Sequence, residues 1–154
     1  MSLQIGDKAP AFTMPADGGG EVSLAGLKGR PVILYFYPRD DTPGCTTEAC
    51  GFRDAMPDFS KLDAAIVGVS RDSVAKHDKF KAKYELPFTL GADDTGAVTE
   101  AYGVWVEKSM YGRKSMGIER ATFLIDGAGV IRGIWRKVKV KGHIEEVLAA
   151  LRAL

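Results

Sequence analysis

Cysteine, histidine and tryptophan are scarce in this chain, with two of each among 154 residues. No apolar run approaches the roughly 20 residues of a membrane-spanning helix. Residues 1–10 lack the basic start and apolar core of a secretory signal, so the expected location is cytoplasmic. Neither sign of charge is in excess: 21 Lys and Arg face 20 Asp and Glu, a net +1. The overall field that draws proteins to nucleic acid or anionic membrane is therefore missing, and neither partner is expected. The strip Arg136-Lys137-Val138-Lys139-Val140-Lys141 is basic, but its alternation reads as the solvent face of a strand or its exit. In a reducing compartment, two cysteines point to catalysis or metal binding rather than to a structural disulfide.

There is no internal repeat, low-complexity stretch or linker, which predicts a single domain over residues 1–154. A chain of this length buries roughly two thirds of its unfolded surface, enough for a core without staples. Residues 11–14 and 21–24 predict a hairpin around Asp17-Gly18-Gly19-Gly20. The nearly unbroken apolar run 31–37 predicts a central strand covered on both faces. A helix over 46–59 follows, limited or kinked by Pro57, and then a second buried strand over 64–70. Helices are expected over 73–84, with Ser73 as N-cap, and over 95–102. Residues 104–119, rich in Gly, Ser and Lys, read as mostly loop. Strands 120–125 and 130–135 form a hairpin across Asp126-Gly127-Ala128-Gly129, and Ile144, Val147, Leu148 and Leu151 mark a last helix. The order predicts a thioredoxin-like α/β fold, a central mixed sheet flanked by helices with an N-terminal hairpin.

Both cysteines fall in YFYPRDDTPGCTTEAC, residues 35–50. In open α/β sheets, sites form where a strand gives way to a helix, and Cys45 lies there. Unpaired amides and the positive end of a helix favour a thiolate over a thiol. An inert core cysteine is a poor fit to the polar turn before Cys45, although Cys50 beside Ala49 and Phe52 could pack inside. Zinc is disfavoured: the spacing is C-x4-C, and neither His77 nor His143 has a Cys or His neighbour. Both histidines read as helix-surface residues. A cysteine phosphatase would need an arginine where Gly51 stands, and a C-x2-C reductase a cysteine where Glu48 stands. A cysteine hydrolase would need a positioned histidine base, which nothing nominates. Redox chemistry remains. On one continuous helix, residues i and i+5 lie roughly 8–9 Å apart, beyond the about 4.4–6.8 Å between Cα atoms of a disulfide. The spacing therefore permits two states: an intact helix with Cys45 exposed, and a locally unwound one in which the pair can close.

Pro38-x-x-x-Thr42-x-x-Cys45 matches the peroxidatic signature of the peroxiredoxins, and FYPRDDTPGCTTEACGFRD strongly resembles their bacterioferritin-comigratory-protein (Q-type) subfamily. Later stretches agree, among them Val69-Ser70-x-Asp72-Ser73, residues 111–118 and Arg120-Ala121-Thr122-Phe123. The resemblance implies a thiol peroxidase in which Cys45 is the peroxidatic cysteine and Arg120 supports its thiolate. Thr42 would bond the peroxide, Pro38 would shield the pocket, and Cys50 would resolve the Cys45 sulfenic acid as in atypical two-cysteine members. It implies hydrogen peroxide and alkyl hydroperoxides as substrates, a thioredoxin-like reductant, and no metal, haem or flavin. Glu48 stays outside this set, as a helix-surface charge or a residue that orients its neighbours. A monomer is the default, with a dimer open. The rival reading is a redox-sensing or chaperone-like protein that uses the same disulfide as a switch.

Overall fold

A computed structural model describes residues 2–154, apart from the side chain of Met110. Strands β1 (Thr13–Pro15) and β2 (Glu21–Ser23) pair antiparallel, and a short 3-10 turn over Asp17–Gly19 joins them. The expected apolar run becomes β3 (Val32–Phe36), every residue of which is buried. Its alternation decides the layering, since successive strand side chains point to opposite faces. Ile33 and Tyr35 enter a core shared with the helices on one face, while Val32, Leu34 and Phe36 join Phe12, Met14 and Val22 on the other.

After β3 the chain forms α1 (Pro43–Asp54) and then α2 (Met56–Lys61), where the sequence predicts one helix over 46–59. Pro43 opens α1, a position where its missing N–H costs nothing. Pro57 has no N–H to bond the Arg53 carbonyl, so the helix breaks at Ala55 and restarts. Strand β4 (Ala65–Ser70) runs parallel to β3, and α3 (Val74–Tyr84) follows with the Ser73 hydroxyl accepting from the Lys76 amide. Strand β5 (Thr89–Ala92), which has no counterpart in the sequence reading, extends the sheet beside β4. Helix α4 (Ala97–Ala101) comes next.

Residues 104–119 are not loop. They form an antiparallel ribbon of β6 (Trp105–Met110) and β7 (Arg113–Ile118), separate from the main sheet. Most of its described residues are solvent-exposed, so no buried face imposes the alternation that reveals a strand. Strands β8 (Ala121–Ile125) and β9 (Ile131–Trp135) form the expected hairpin, and α5 (His143–Arg152) packs its buried stripe against α1. The five-stranded sheet has the order β5-β4-β3-β8-β9 and is mixed, because β8 lies antiparallel to β3. The register Phe36↔Ala121 sets the residue before β8 beside the end of β3, where α1 begins. Among the described residues, no helix is long and apolar enough to cross a membrane.

Candidate active site

Cys45 is the third residue of α1 and is 2% exposed. It is buried, not open to solvent as the sequence predicts, because the helix start is tucked between the sheet and the Arg120 side chain. Thr42 caps the helix with its backbone, but its hydroxyl turns away and donates to the Arg39 carbonyl at 3.0 Å. The first-turn amides of Gly44 and Cys45 precede any intrahelical acceptor, so they are open donors at the helix start that carries Cys45.

Arg120 links two residues of α1. Its Nη2 donates to Cys45 Sγ at 3.3 Å, and its Nη1 donates to Glu48 Oε1 at 2.6 Å. Cys45 and Glu48 are three apart on the helix and share a face, so one planar guanidinium reaches both. Gly44 makes the approach feasible: a Cβ there would lie 3.1 Å from Arg120 Nη2. Glu48 is fully buried and belongs in this cluster, although the sequence reading left it out. Its signal was its place one helical turn after Cys45, but its partner lies 72 residues away. Burial pushes its carboxyl up to about 7, against the pull of Arg120. Its Oε2 atom has no hydrogen-bond partner among the described residues.

Both histidines are buried rather than on helix surfaces. His143 Nε2 lies 2.8 Å from the Thr122 hydroxyl, and its ring meets Phe52 and Trp135 edge-on. Burial, helped by the Arg120 charge, lowers it to about 4, so it is neutral at neutral pH. His77 lies between Asp40 and β5.

Pro38 and Thr42 line an open groove of about 480 Å³ together with Arg71, Trp105, Lys108 and Ile118. The β6–β7 ribbon thus forms one wall of the groove that Pro38 and Thr42 line. Cys50 is half-buried on the same unbroken helix, and both thiols are free. The structure therefore brings Cys45 to Arg120, places Thr42 and Pro38 at the groove, and keeps Cys50 apart. A sulfur held by a guanidinium at a helix start with open amides is equipped to carry negative charge, and an oxyanion forming beside it would meet the same donors.

The AhpC/TSA family profile matches residues 5–134. A putative peroxiredoxin bcp of Coxiella burnetii is 57% identical over 151 residues, spanning 98% of this chain and 100% of its own length. The chain belongs to the peroxiredoxins. It is a thiol peroxidase of the Bcp or PrxQ type. Peroxiredoxin Bcp of Bacillus subtilis is 53% identical over 99% of this chain and 97% of its own length. A crystal structure of a Xylella fastidiosa PrxQ cysteine-to-serine variant superposes with a TM-score of 0.94 at 40% identity, covering 99% of this chain and 98% of that one. A Xanthomonas campestris bacterioferritin comigratory protein, studied for alkyl peroxide reduction, gives 0.88 at 46% identity over 92% of this peroxiredoxin and 90% of its own chain. The thioredoxin-like fold expected from the sequence is the fold this peroxiredoxin has.

Proposed function

We propose that this peroxiredoxin reduces hydrogen peroxide and alkyl hydroperoxides through Cys45, with Cys50 as the resolving thiol and a thioredoxin-like dithiol as reductant. The bridge from Arg120 to both Cys45 and Glu48 carries the reading. A peroxide enters by the groove past Pro38 and Thr42. The Cys45 thiolate attacks one peroxide oxygen, the O–O bond breaks, and the departing hydroxide or alkoxide takes a proton to leave as water or alcohol. Arg120 and the open amides of Gly44 and Cys45 stabilise the charge as it passes from sulfur to oxygen. Thr42 supplies a hydroxyl to the peroxide once it turns from Arg39.

Cys45 is left as a sulfenic acid. The Cys50 thiol attacks that sulfur, a disulfide forms and water leaves. Both cysteines sit on one intact helix, so this step requires the first turns of α1 to unwind. Exchange with an external dithiol restores both thiols. Residues 1–154 act in this scheme as one catalytic domain, a monomer in the cytoplasm.

The test is intact mass and peptide mapping after one equivalent of hydrogen peroxide, run beside Cys50→Ser. The expected result is loss of two hydrogens with a Cys45–Cys50 linked peptide, and a sulfenic adduct on Cys45 in the variant. No rapid change at Cys45 would overturn the proposal. A protein that reacts once but does not turn over with a dithiol would instead be a redox switch.

A further inference from the structure

The loop between β3 and α1, which carries Pro38 and Thr42 and leads to Cys45, is tied to α3 and its approach by a set of side-chain hydrogen bonds, those of Asp40 partly buried. Asp40 is at its centre. One carboxylate oxygen accepts from the Tyr37 hydroxyl, and the other lies 2.6 Å from His77 Nδ1. The backbone amide of Asp40 donates to Asp72 Oδ2 at 2.8 Å, and the Ser70 hydroxyl donates to the same oxygen. The next residue, Asp41, adopts a left-handed conformation with φ 58°. Its carboxylate accepts from Lys83 and from the Tyr84 hydroxyl, both at 2.8 Å.

The proton count at His77 follows from its two neighbours. Its Nε2 lies 2.9 Å from the Gly91 carbonyl, which can only accept, so Nε2 carries a hydrogen. Nδ1 faces a carboxylate oxygen, so a second proton must lie between them. Imidazole is more basic than a carboxylate, and Asp40 already accepts from Tyr37, so that proton sits on the ring. His77 is fully buried and the Asp40 side chain is 5% exposed, so water does not substitute for either bond.

We propose that His77 is a positioning residue of the peroxidase site: as an imidazolium between Asp40 and the Gly91 carbonyl, it fixes the loop that carries Thr42 and leads into the helix start holding Cys45 against Arg120. The proposal rests on the reading of Cys45 as the reacting thiol. Burial by itself would lower the pKa of His77, but the hydrogen bond and charge of Asp40, with the Gly91 carbonyl and the Asp72 charge, outweigh it together and the net shift is upward. The groups facing the ring are Asp40 from the loop, Tyr37 beyond β3, Asp72 before α3 and the Gly91 carbonyl of β5. On its own helix, Lys76 turns to Asp72 and Lys81 to Asp17. The shift is upward, so the clamp is complete below the ordinary histidine range and is lost as pH rises through the raised pKa. Without the second proton, the Nδ1 lone pair would face a carboxylate, and the loop would lose one of its anchors.

The experiment measures single-turnover peroxide consumption from pH 5.5 to 9 for the reduced wild type, His77→Gln, Asp40→Asn and Cys45→Ser. The expected ratio of wild-type to His77→Gln rates is about 10–100 at low pH, the cost of misplacing a reacting group by up to about 1 Å. It should fall toward one as His77 loses its proton. Asp40→Asn lets an amide donate to a neutral ring, so it should lower the rate less than His77→Gln and remove the fall with pH. A ratio of one throughout, or a uniform loss with no pH dependence, would overturn the proposal. Histidine-labelled wild-type protein supplies a readout that needs no variant, since only two histidines must be assigned. Its nitrogen spectrum should show His77 protonated on both nitrogens at pH 5.5, and a neutral ring there would equally overturn the clamp. Peroxide turnover surviving in Cys45→Ser would instead defeat the reading of the site.

Discussion

Gly44 lies directly beneath Arg120, so close that a Cβ on Gly44 would stand 3.1 Å from Nη2. That distance is tighter than a relaxed contact, and the same Nη2 holds the Cys45 sulfur. Gly44→Ala should therefore shift the guanidinium by a few tenths of an ångström. Alanine is the better helix former by roughly 0.8–1 kcal/mol, so stability should hold or rise. Peroxide reactivity should drop by several-fold to about tenfold, since positioning errors well below 1 Å already slow a reacting pair. Stopped-flow peroxide kinetics beside thermal unfolding check this, and unchanged kinetics would mean that Arg120 does not need its present position.

The Arg120–Glu48 pair is buried at the carboxylate end, with the Glu48 side chain fully buried. Arg120→Met should slow the reaction with peroxide about 10²–10³-fold by removing a donor to the developing charge. It should also destabilise the fold, because breaking a buried pair from one side costs about 3–5 kcal/mol when the remaining charge persists. Losing Arg120 also removes what holds the Glu48 carboxyl down, so in the variant Glu48 takes up a proton more readily and part of the loss is offset, most completely at low pH. Adding Glu48→Gln to Arg120→Met should therefore recover stability at pH 8 while leaving activity lost. Urea unfolding of the two variants at pH 6 and pH 8, with peroxide rates, separates the two roles.

Residues 31–37 revealed their strand because both faces of β3 are covered, which leaves a continuous apolar run. The ribbon β6–β7 hid for the opposite reason: neither face is covered for most of its length, so its composition matches that of a loop. β5 is four residues long and carries Gly91, where a Cβ would meet the Met14 side chain at 2.6 Å. A strand shaped by a distant neighbour shows no local pattern. The site divides along the same line. Cys45 follows a strand-to-helix turn and was legible from its position, while Thr42, Pro38 and Arg120 were found through a motif resemblance. Glu48 and His77 owe their burial to Arg120 and Asp40, partners 72 and 37 positions away in sequence, and their spacing alone looks like that of surface residues.

Two buried groups make stability respond to pH in opposite directions. Glu48 is raised from its ordinary value to about 7, so its contribution is full at low pH and is lost as pH rises through about 7. His143 is lowered to about 4, so its contribution is full above the ordinary histidine range and is lost as pH falls through about 4. The stability of the wild type relative to Glu48→Gln should thus decline by roughly 3 kcal/mol from pH 5 to pH 8. Relative to His143→Asn it should decline by up to about 3 kcal/mol from pH 7 to pH 4. Urea midpoints at four pH values test both, and slopes of the reverse sign would refute the assignments.

Closing the Cys45–Cys50 disulfide and keeping α1 intact are mutually exclusive, so helix stability should set the speed of resolution without touching the first chemical step. Thr47 offers a clean handle: it is exposed, it lies between the two cysteines, and its hydroxyl only donates back to the Pro43 carbonyl at 3.0 Å. Thr47→Ala raises helix propensity by roughly 0.6 kcal/mol, which corresponds to about a threefold smaller population of the unwound helix. Thr47→Gly should act in the reverse direction. Sulfenic acid formation should proceed at wild-type rate in both variants, while disulfide formation slows about threefold in the first and quickens in the second. The alanine variant should also be over-oxidised to the sulfinic acid at lower peroxide, because its sulfenic acid waits longer for Cys50. Rapid-quench mass spectrometry resolves the two steps. Equal resolution rates in all three proteins would mean that unwinding of α1 does not limit closure.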